Sequence, residues 1–204
     1  MNIKAVVFDY GQVISLPQDP KMIDELAGRV GVEREKFESV LWGLRPEYDR
    51  GTIDTRDYFK KVVSHFGVFP DDDKIDEMAR IDTESWKGIN FETVALMEEL
   101  KKAGYLLGIL SNMPPDFLAW ARENIPVFSL PQVGLFSCEV NLVKPEEAIY
   151  RKLLSLLGVE GGELVFFDDN ADNIKGARAL GINAMLWENP ETARRELLSL
   201  GVRL

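Results

Sequence analysis

The sequence is poor in cysteine and histidine: Cys138 and His65 are the single representatives of each among its 204 residues. One cysteine excludes an internal disulfide, and we expect the protein in a reducing cytoplasm. Because Cys138 lies far from His65 in the sequence, we interpret Cys138 as a small core residue and not as a nucleophile. No apolar run approaches the ~20 residues of a membrane span, and the N-terminus lacks the apolar segment of a signal peptide, so we expect no membrane partner.

Positive charge is also scarce. Lysine and arginine number 24 against 34 aspartates and glutamates, which gives a formal net charge of −10. This balance argues against nucleic acid or anionic lipid as the main partner. An acidic protein still binds an anionic small molecule where local cations and a metal reverse the field. We therefore expect a small-molecule substrate, and a monomer or a homodimer.

The sequence does contain one apolar, partly β-branched run, residues 5–8, that ends at Asp9 and is followed by Gly11. It predicts a buried strand that ends in a loop. Further strands are predicted at 105–110, 133–140, 164–167 and 182–187, with helices at 91–103, 114–124, 145–157, 172–180 and 190–200. Strands that alternate with helices predict an α/β fold with a doubly wound, Rossmann-like parallel sheet.

Residues 16–85 interrupt this alternation with helices only. Helical spacing covers 21–30 and 33–44, Arg45–Gly51 breaks the pattern, and Thr55 begins the next helix. We predict an α/β core from 1–15 and 86–204, with 16–85 as a small inserted α-helical cap. Trp42, Arg45, Tyr48 and Arg50 are assigned either to the substrate side of this cap or to its core.

Polar residues end three of the predicted strands: Asp9, Ser111-Asn112 and Asp168-Asp169. The carboxyl ends of parallel strands share one edge of a sheet, and Lys144 is a fourth candidate for that edge. Clustered carboxylates repel each other unless a cation lies among them, and an oxygen-only ligand set suits Mg²⁺. Lys144 and Ser111 are residue types that hold phosphate oxygens.

In this order and spacing, the strand ending at Asp9, Ser111, Lys144-Pro145 and the segment 168–173 resemble the four motifs of the haloacid dehalogenase (HAD) superfamily. The resemblance covers essentially the whole chain, and the insert resembles a C1-type cap through its segment 48–53. Within the superfamily, the first and fourth motifs are most similar to the branch of α-D-glucose-1-phosphate phosphatases. The resemblance implies a Mg²⁺-dependent phosphatase that hydrolyses a small phosphorylated metabolite such as a sugar phosphate.

For the nucleophile and the metal, the resemblance implies that Asp9 attacks phosphorus and forms an aspartyl-phosphate. It implies that Mg²⁺ is bound by Asp9, Asp169 and the backbone carbonyl of Gly11. Asp168 is a further ligand, either directly or through water. Asn173 braces the acidic loop.

For the phosphoryl group, the resemblance implies that Ser111 and the backbone amides after Asp9, those of Tyr10 and Gly11, hold its oxygens. Lys144 neutralises charge on the nucleophile and on the transferring group. Asn112 contacts substrate or phosphate. Such positioning and charge stabilisation are most of what phosphoryl transfer requires.

One residue departs from the family pattern. Most phosphatases of the superfamily carry a second aspartate two residues after the nucleophile, as the acid and base of the reaction, and here this position is Gly11. A positioned acid or base typically contributes about 10²–10⁴-fold to rate. Gln12 orients a water at best. We hypothesise that the enzyme favours substrates whose leaving group needs little protonation, such as an anomeric sugar phosphate or an acyl phosphate.

Two alternatives belong to other functional classes. A metal-independent 2-haloacid dehalogenase also uses an aspartate nucleophile and lacks the second aspartate, but it does not require the pair Asp168-Asp169. A non-catalytic protein that binds a phosphorylated ligand is consistent with the loss of the acid at Gly11, although every other motif residue is retained. Absence of Mg²⁺-dependent hydrolysis over a broad phosphate panel would favour this second alternative.

Overall fold

The computed structural model describes residues 2–204, which form a five-stranded parallel sheet with helices on both faces. The strand order is β3-β2-β1-β4-β5. The strands are β1 (Ala5–Phe8), β2 (Leu106–Ser111), β3 (Val133–Phe136), β4 (Leu164–Asp168) and β5 (Asn183–Leu186). β1 is central, with Phe8 in register with Ile109 and Phe167, so the predicted doubly wound α/β fold is confirmed.

The helices surround this sheet and fill the insert that follows β1. They are α1 (Pro20–Val30), α2 (Arg34–Asp49), α3 (Thr55–Ser64), α4 (Asp72–Ser85), α5 (Phe91–Lys102), α6 (Pro115–Asn124), α7 (Ser137–Val140), α8 (Glu147–Leu157), α9 (Ala171–Arg178) and α10 (Pro190–Ser199). Over residues 2–204, none of them combines the length and the apolar character that a membrane crossing requires.

Both faces of β1 are buried, because successive side chains of a strand point to opposite sides. Val6 and Phe8 belong to a hydrophobic cluster with side chains of α5, α6 and α10. Ala5 and Val7 belong to a second cluster with side chains of α8 and α9. A parallel strand covered on both faces reads as a continuous apolar run, which is why the sequence identified β1 readily.

Helices α1–α4, here called the helical insert (residues 20–85), have a hydrophobic cluster of their own. Its fully buried members include Leu26, Phe37, Leu41, Phe59 and Ile75. Aspartates at three helix starts accept hydrogen bonds from backbone N–H groups that the helix leaves unpaired: Asp19, Asp54 and Asp71. These four helices therefore pack around a separate small core.

Some predicted boundaries are wrong. α2 does not end before Arg45 but continues through Pro46 to Asp49. Tertiary contacts offset the cost of a proline inside the helix, because Arg45, the residue before Pro46, forms a buried ion pair with Asp82 of α4 at 2.9 Å. The chain turns at Gly51 instead, whose φ of +75° suits glycine.

Two further differences lie near Lys144. Residues 137–140, predicted as part of an extended segment, form the short helix α7. The helix after Lys144 begins at Glu147 and not at Pro145, because residues 143–146 form a turn in which the Glu146 N–H donates to the Val143 carbonyl at 2.9 Å.

Candidate active site

The residues that the motifs predicted meet at the carboxyl edge of the sheet. Asp9 follows β1, while Ser111 ends β2 and Asp168 ends β4, the two strands that flank β1. The Asp9 N–H donates to the Phe167 carbonyl at 2.9 Å, which continues the pairing of β1 with β4 up to the aspartate. A cavity of about 310 Å³ lies at this edge, below the insert. It is lined by Asp9, Tyr10, Gly11, Gln12, Trp42, Arg45, Asp49, Trp86, Ser111, Asn112, Met113, Pro114, Phe117, Lys144, Asp169, Asn170 and Asn173.

Lys144 is the cation at the floor of this cavity. Its Nζ lies 2.9 Å from Asp9 Oδ1 and 2.6 Å from Asp168 Oδ2, and it donates to the Leu110 carbonyl at 3.1 Å. Burial alone lowers the pKa of Lys144, but the charges of Asp168 and Asp9 outweigh burial and raise that pKa above its usual range. The ammonium therefore stays charged against the predicted nucleophile.

Asp9 presents one engaged and one open oxygen. Oδ1 accepts from the Tyr10 N–H at 2.6 Å as well as from Lys144, whereas Oδ2 makes no hydrogen bond within residues 2–204. Burial raises the pKa of Asp9 to about 7, against the opposing charge of Lys144. The neighbouring carboxylate of Asp168 adds to the increase.

Three carboxylates form an acidic cluster beside Lys144. Asp9, Asp168 and Asp169 each offer an oxygen, and these oxygens all lie within 4.8 Å of one another. Burial, followed by the charge of Asp168, raises the pKa of Asp169 as well. Three carboxylates face a single ammonium here, so a divalent cation would relieve their repulsion, and this oxygen donor set fits Mg²⁺.

Asp168 is fully buried and both of its oxygens accept hydrogen bonds. Oδ1 accepts from the Asn170 N–H at 2.8 Å and from Asn173 Nδ2 at 3.0 Å, while Oδ2 pairs with Lys144. In these contacts Asp168 orients the lysine. Asn173 lies where a residue that braces the acidic loop is expected.

The end of β2 forms another side of the cavity. Ser111 is buried, and its hydroxyl makes only a long 3.5 Å contact with the Asn112 carbonyl. The Asn112 side chain holds the backbone of Lys144 at both ends: Oδ1 accepts from the Lys144 N–H at 2.8 Å and Nδ2 donates to the Lys144 carbonyl at 3.0 Å. No local pattern could reveal this contact, because 32 residues separate the two positions.

The residues after Asp9 form a tight turn. Gly11 has an extended backbone, and Gln12 adopts a left-handed conformation with φ of +56°. Gln12 Nε2 donates to Asp169 Oδ2 at 2.7 Å, so Gln12 contacts one of the predicted metal ligands. A Cβ built on Gly11 would meet the Trp86 ring at 3.5 Å, an ordinary contact distance. A Cβ at position 11 therefore fits without a clash.

The insert contributes residues to the cavity. The sequence assigned some of them either to the substrate side or to the core of the cap, and did not identify others. Trp42 and Arg45 line the cavity, whereas Tyr48 stacks on Tyr58 in the core of the insert at 4.5 Å between ring centroids. The predictions did not include Asp49. Asp49 lies four residues after Arg45, a spacing that brings two side chains together only if both residues are in one helix. That helix is α2, which continues past Pro46.

Trp86 also lines the cavity. Its ring lies edge-on to Trp42 with 6.2 Å between centroids, and its backbone carbonyl accepts from the Tyr10 hydroxyl at 2.7 Å. The indole Nε1 is buried and has no hydrogen-bond partner within residues 2–204.

Comparison with known proteins gives a family and several relatives. The model of the haloacid dehalogenase-like hydrolases matches residues 3–181. The chain is 27% identical to Phosphatase MT3486 of Mycobacterium tuberculosis over 215 aligned residues, which cover 100% of this chain and 98% of that protein. It is 34% identical to pig bifunctional epoxide hydrolase 2 over 125 residues, or 59% of this chain. This match spans only 22% of the epoxide hydrolase.

Solved structures share the fold. A HAD family enzyme of Bacteroides thetaiotaomicron, in complex with magnesium and inorganic phosphate, has a TM-score of 0.73 at 24% identity, over 92% of this chain and 95% of that one. The L-2-haloacid dehalogenase of Xanthobacter autotrophicus with chloropropionic acid covalently bound has a TM-score of 0.69 at 23% identity, over 99% and 85% of the two chains. At these identities the likeness is one of fold.

Proposed function

This chain belongs to the haloacid dehalogenase-like hydrolases, and on that premise we propose that it is a Mg²⁺-dependent phosphatase of small phosphorylated metabolites that works through an aspartyl-phosphate on Asp9. The observation that carries the proposal is the buried ammonium of Lys144 between Asp9 and Asp168, beside a second carboxylate, Asp169. Phosphatase MT3486, similar along its whole length, and the phosphate complex of the Bacteroides enzyme support it.

The chain's own residues account for the positioning that phosphoryl transfer needs. Asp9 keeps Oδ2 open for attack while Lys144 and the Tyr10 N–H hold Oδ1. Ser111, with a hydroxyl that lacks a short hydrogen bond, is available to a phosphoryl oxygen. Asn112 holds the backbone of Lys144 in place, and Asp168 holds its ammonium.

Mg²⁺ would be held by Asp9, Asp169 and the Gly11 carbonyl, with Asp168 as a further candidate. When bound, such an ion neutralises charge on the transferring phosphoryl group and on the nucleophile. It would also lower the pKa of Asp9, which burial and the neighbouring carboxylates raise to about 7 against the charge of Lys144, and so keep the nucleophile ionised.

The helical insert serves in this proposal as the substrate cap. It covers the cavity with Trp42 and Arg45, and Trp86 adds an aromatic wall from the end of α4. A cavity of about 310 Å³ suits a small metabolite. Aromatic walls together with charged groups suit a polyhydroxylated substrate, so a sugar phosphate is the proposed class.

The acidic cluster weighs against the dehalogenase alternative. Cleavage of a carbon–halogen bond by Asp9 needs no divalent cation, and Asp169 would then be a half-buried carboxylate with no cation of its own beside Asp9 and Asp168. Asp168 pairs with Lys144 and would serve either chemistry, whereas Asp169 adds a negative charge that a bound cation would neutralise.

A panel of phosphate esters tests the proposal, with sugar 1-phosphates, sugar 6-phosphates, an acyl phosphate and p-nitrophenyl phosphate, each with Mg²⁺ and with EDTA. We expect hydrolysis that requires Mg²⁺ and is lost in Asp9→Asn. Beryllium fluoride should form an adduct on Asp9 of the wild-type protein. Turnover in EDTA, or a fully active Asp9→Asn variant, would refute the mechanism, and no turnover of any ester would favour a phospho-ligand-binding protein.

A further inference from the structure

The proposed reaction lacks an acid at Gly11, and the helical insert places another carboxylate over the cavity. We propose that Asp49, at the end of α2, is the general acid and base of this enzyme and replaces the second aspartate of the first motif. This inference rests on the proposed phosphatase function.

Asp49 lines the cavity and has one carboxyl oxygen without a hydrogen bond among the described residues. Oδ1 accepts from Arg45 Nε at 2.9 Å, whereas Oδ2 makes no hydrogen bond in the part of the chain that the structure describes. The residue lines the cavity together with Asp9 and Lys144, although it is 8% exposed. A carboxyl oxygen that no other group engages, on a residue that lines the cavity, is suited to exchange a proton with a ligand.

The position of Asp49 is fixed by contacts with the α/β core. The Ser137 hydroxyl, which accepts from the Met113 N–H at 2.9 Å, donates to the Asp49 carbonyl. The next residue, Arg50, donates to Glu146 at 2.5 Å and to the Asn141 carbonyl at 2.9 Å.

These contacts tie the end of α2 to the segments that carry the phosphate and lysine motifs. Met113 follows Ser111-Asn112, and Glu146 follows Lys144 by two residues. Gly51 completes the junction, because a Cβ there would lie 2.9 Å from the Cys138 carbonyl. The Asp49 backbone is thereby held against the loops that bind the phosphoryl group.

The direction of attack places the leaving oxygen on the side of the insert. In-line transfer to Asp9 puts the leaving oxygen opposite the nucleophile, away from the sheet edge. Asp9 lies on the floor of the cavity, and Trp42, Arg45 and Asp49 approach from the insert. Among these three, Asp49 has the side chain that carries a transferable proton at ordinary pH.

The local charge balance favours a proton on this cluster. Arg45 bridges Asp49 and Asp82, with 2.9 Å to each, so one cation faces two buried carboxylates. Burial raises the pKa of Asp49, against the charges of Arg45 and Lys144, and Asp82 adds to the increase. An anionic phosphate in the cavity favours the protonated form further.

Asp49 gives up one proton in the first half-reaction and regains one in the second. As the bond from Asp9 to phosphorus forms and the bond to the leaving oxygen breaks, the Asp49 proton moves to that oxygen and the product leaves as an alcohol. A water then attacks phosphorus and gives its proton to the Asp49 carboxylate. The aspartyl–phosphorus bond breaks, which restores Asp9 as a carboxylate and releases inorganic phosphate.

The test is Asp49→Asn, assayed on two substrates: the alkyl phosphate with the highest kcat/KM in the panel, and p-nitrophenyl phosphate, whose phenolate leaves without a proton. We expect kcat/KM, which reports the steps up to release of the leaving group, to fall by about 10²–10³-fold for the alkyl phosphate and by less than about 3-fold for p-nitrophenyl phosphate. Asp82→Asn is the matched control, because it removes the other carboxylate on Arg45 and leaves Asp49 in place. Since Asp82 contributes to the raised pKa of Asp49, this variant should lower kcat/KM for the alkyl phosphate by less than about 5-fold, far less than Asp49→Asn does.

A second variant separates acid catalysis from a structural role. Gly11→Asp added to Asp49→Asn should raise alkyl phosphatase activity at least about tenfold above that of Asp49→Asn alone, because a Cβ at position 11 fits without a clash. Circular dichroism checks that each variant is folded.

Several results would overturn the inference while leaving the proposed function intact. These are an equal loss on both substrates, no loss in Asp49→Asn, no rescue by Gly11→Asp, or a wild-type enzyme that hydrolyses only activated phosphates. Failure of the proposed function has a different signature, since Asp9→Asn would then retain turnover.

Discussion

Two buried clusters in this protein have the same composition and different settings. At the sheet edge, Lys144 lies between Asp9 and Asp168, and in the helical insert Arg45 lies between Asp49 and Asp82. Each cluster consists of one cation and two carboxylates, and all six residues are less than 9% exposed. The settings must therefore account for any difference in what the clusters do.

The lysine cluster is satisfied by the backbone and adjoins a third carboxylate. Lys144 also donates to the Leu110 carbonyl, Asp168 accepts from Asn170 and Asn173, and Asp169 lies beside them. A compact ammonium suits this place, because it neutralises a nucleophile while leaving an oxygen open. The excess of negative charge leaves room for a metal ion.

The arginine cluster is held by aromatic rings instead. The Arg45 guanidinium lies 5.5 Å from the Trp42 ring centroid and 5.2 Å from that of Tyr48. Asp82 keeps an oxygen buried without a partner within residues 2–204. A planar guanidinium forks between two carboxylates and stays charged, so any proton in this cluster belongs to a carboxyl group. The comparison suggests that the lysine cluster serves the nucleophile and the arginine cluster serves the leaving group.

The largest expected difference is in turnover. Asp9→Asn should lower kcat on every phosphate monoester by about 10⁴-fold or more, because the nucleophile is lost. Asp82→Asn, in the equivalent place of the arginine cluster, should lower kcat by less than about 5-fold. Steady-state kinetics on the two purified variants measures both. A comparable loss in the two variants would contradict the separation of roles.

Removal of either cation should destabilise the fold, but Mg²⁺ should restore stability in only one of the two variants. Lys144→Met and Arg45→Met each leave two buried carboxylates without a cation, at a cost of about 3–5 kcal/mol in the free energy of unfolding. Mg²⁺ should recover part of the loss in Lys144→Met, because the acidic cluster there binds a cation, and none in Arg45→Met. Urea unfolding with and without Mg²⁺ gives both values. Equal recovery in the two variants would place a metal site in the insert as well.

The stability of the metal-free protein should fall as pH rises from about 4 to about 7. Asp9 has a pKa of about 7 in the folded state and of 3.8 as an ordinary side chain, so the folded protein retains a proton that the unfolded chain loses. The contribution is fully present below pH 4 and lost above pH 7, and amounts to about 2–4 kcal/mol.

Chemical unfolding in EDTA from pH 4.5 to 8 isolates the contribution of Asp9 to the free energy of unfolding when Asp9→Asn is the reference. The variant should gain stability relative to wild type as the pH rises, and Mg²⁺ should reduce the difference. A wild-type protein that matches Asp9→Asn at every pH would show that Asp9 is ionised without metal.

The smallest expected effect is that of Gly11→Asp alone. If Asp49 already supplies the proton, a second acid should change kcat/KM for alkyl phosphates by less than about 3-fold. If Asp49 has no such role, the same substitution should raise alkyl phosphatase activity selectively. One kinetic comparison of wild type and Gly11→Asp on the two substrate types therefore sharpens the functions assigned to the two clusters.

The sequence predicted the sheet and the residues at its edge well, and the insert less well. β1, β2 and β4 are apolar runs that end in polar residues, so their ends could be placed on one edge without coordinates. The end of α2 was wrong, because Pro46 looks like a helix terminator to local rules. The contacts that keep the helix intact, from Arg45 to Asp82 above all, join residues 37 positions apart.

By itself, the sequence determined the α/β class, the acidic edge and the identity of Asp9, Ser111, Lys144 and Asp168-Asp169, because periodicity and motif spacing are local properties. Tertiary structure alone decided that Asn112 holds Lys144, that Gln12 contacts Asp169 and that Asp49 lines the same cavity as Asp9. Each of these depends on where a distant segment packs. The helical insert, which lines the cavity with Trp42, Arg45 and Asp49, is such a segment.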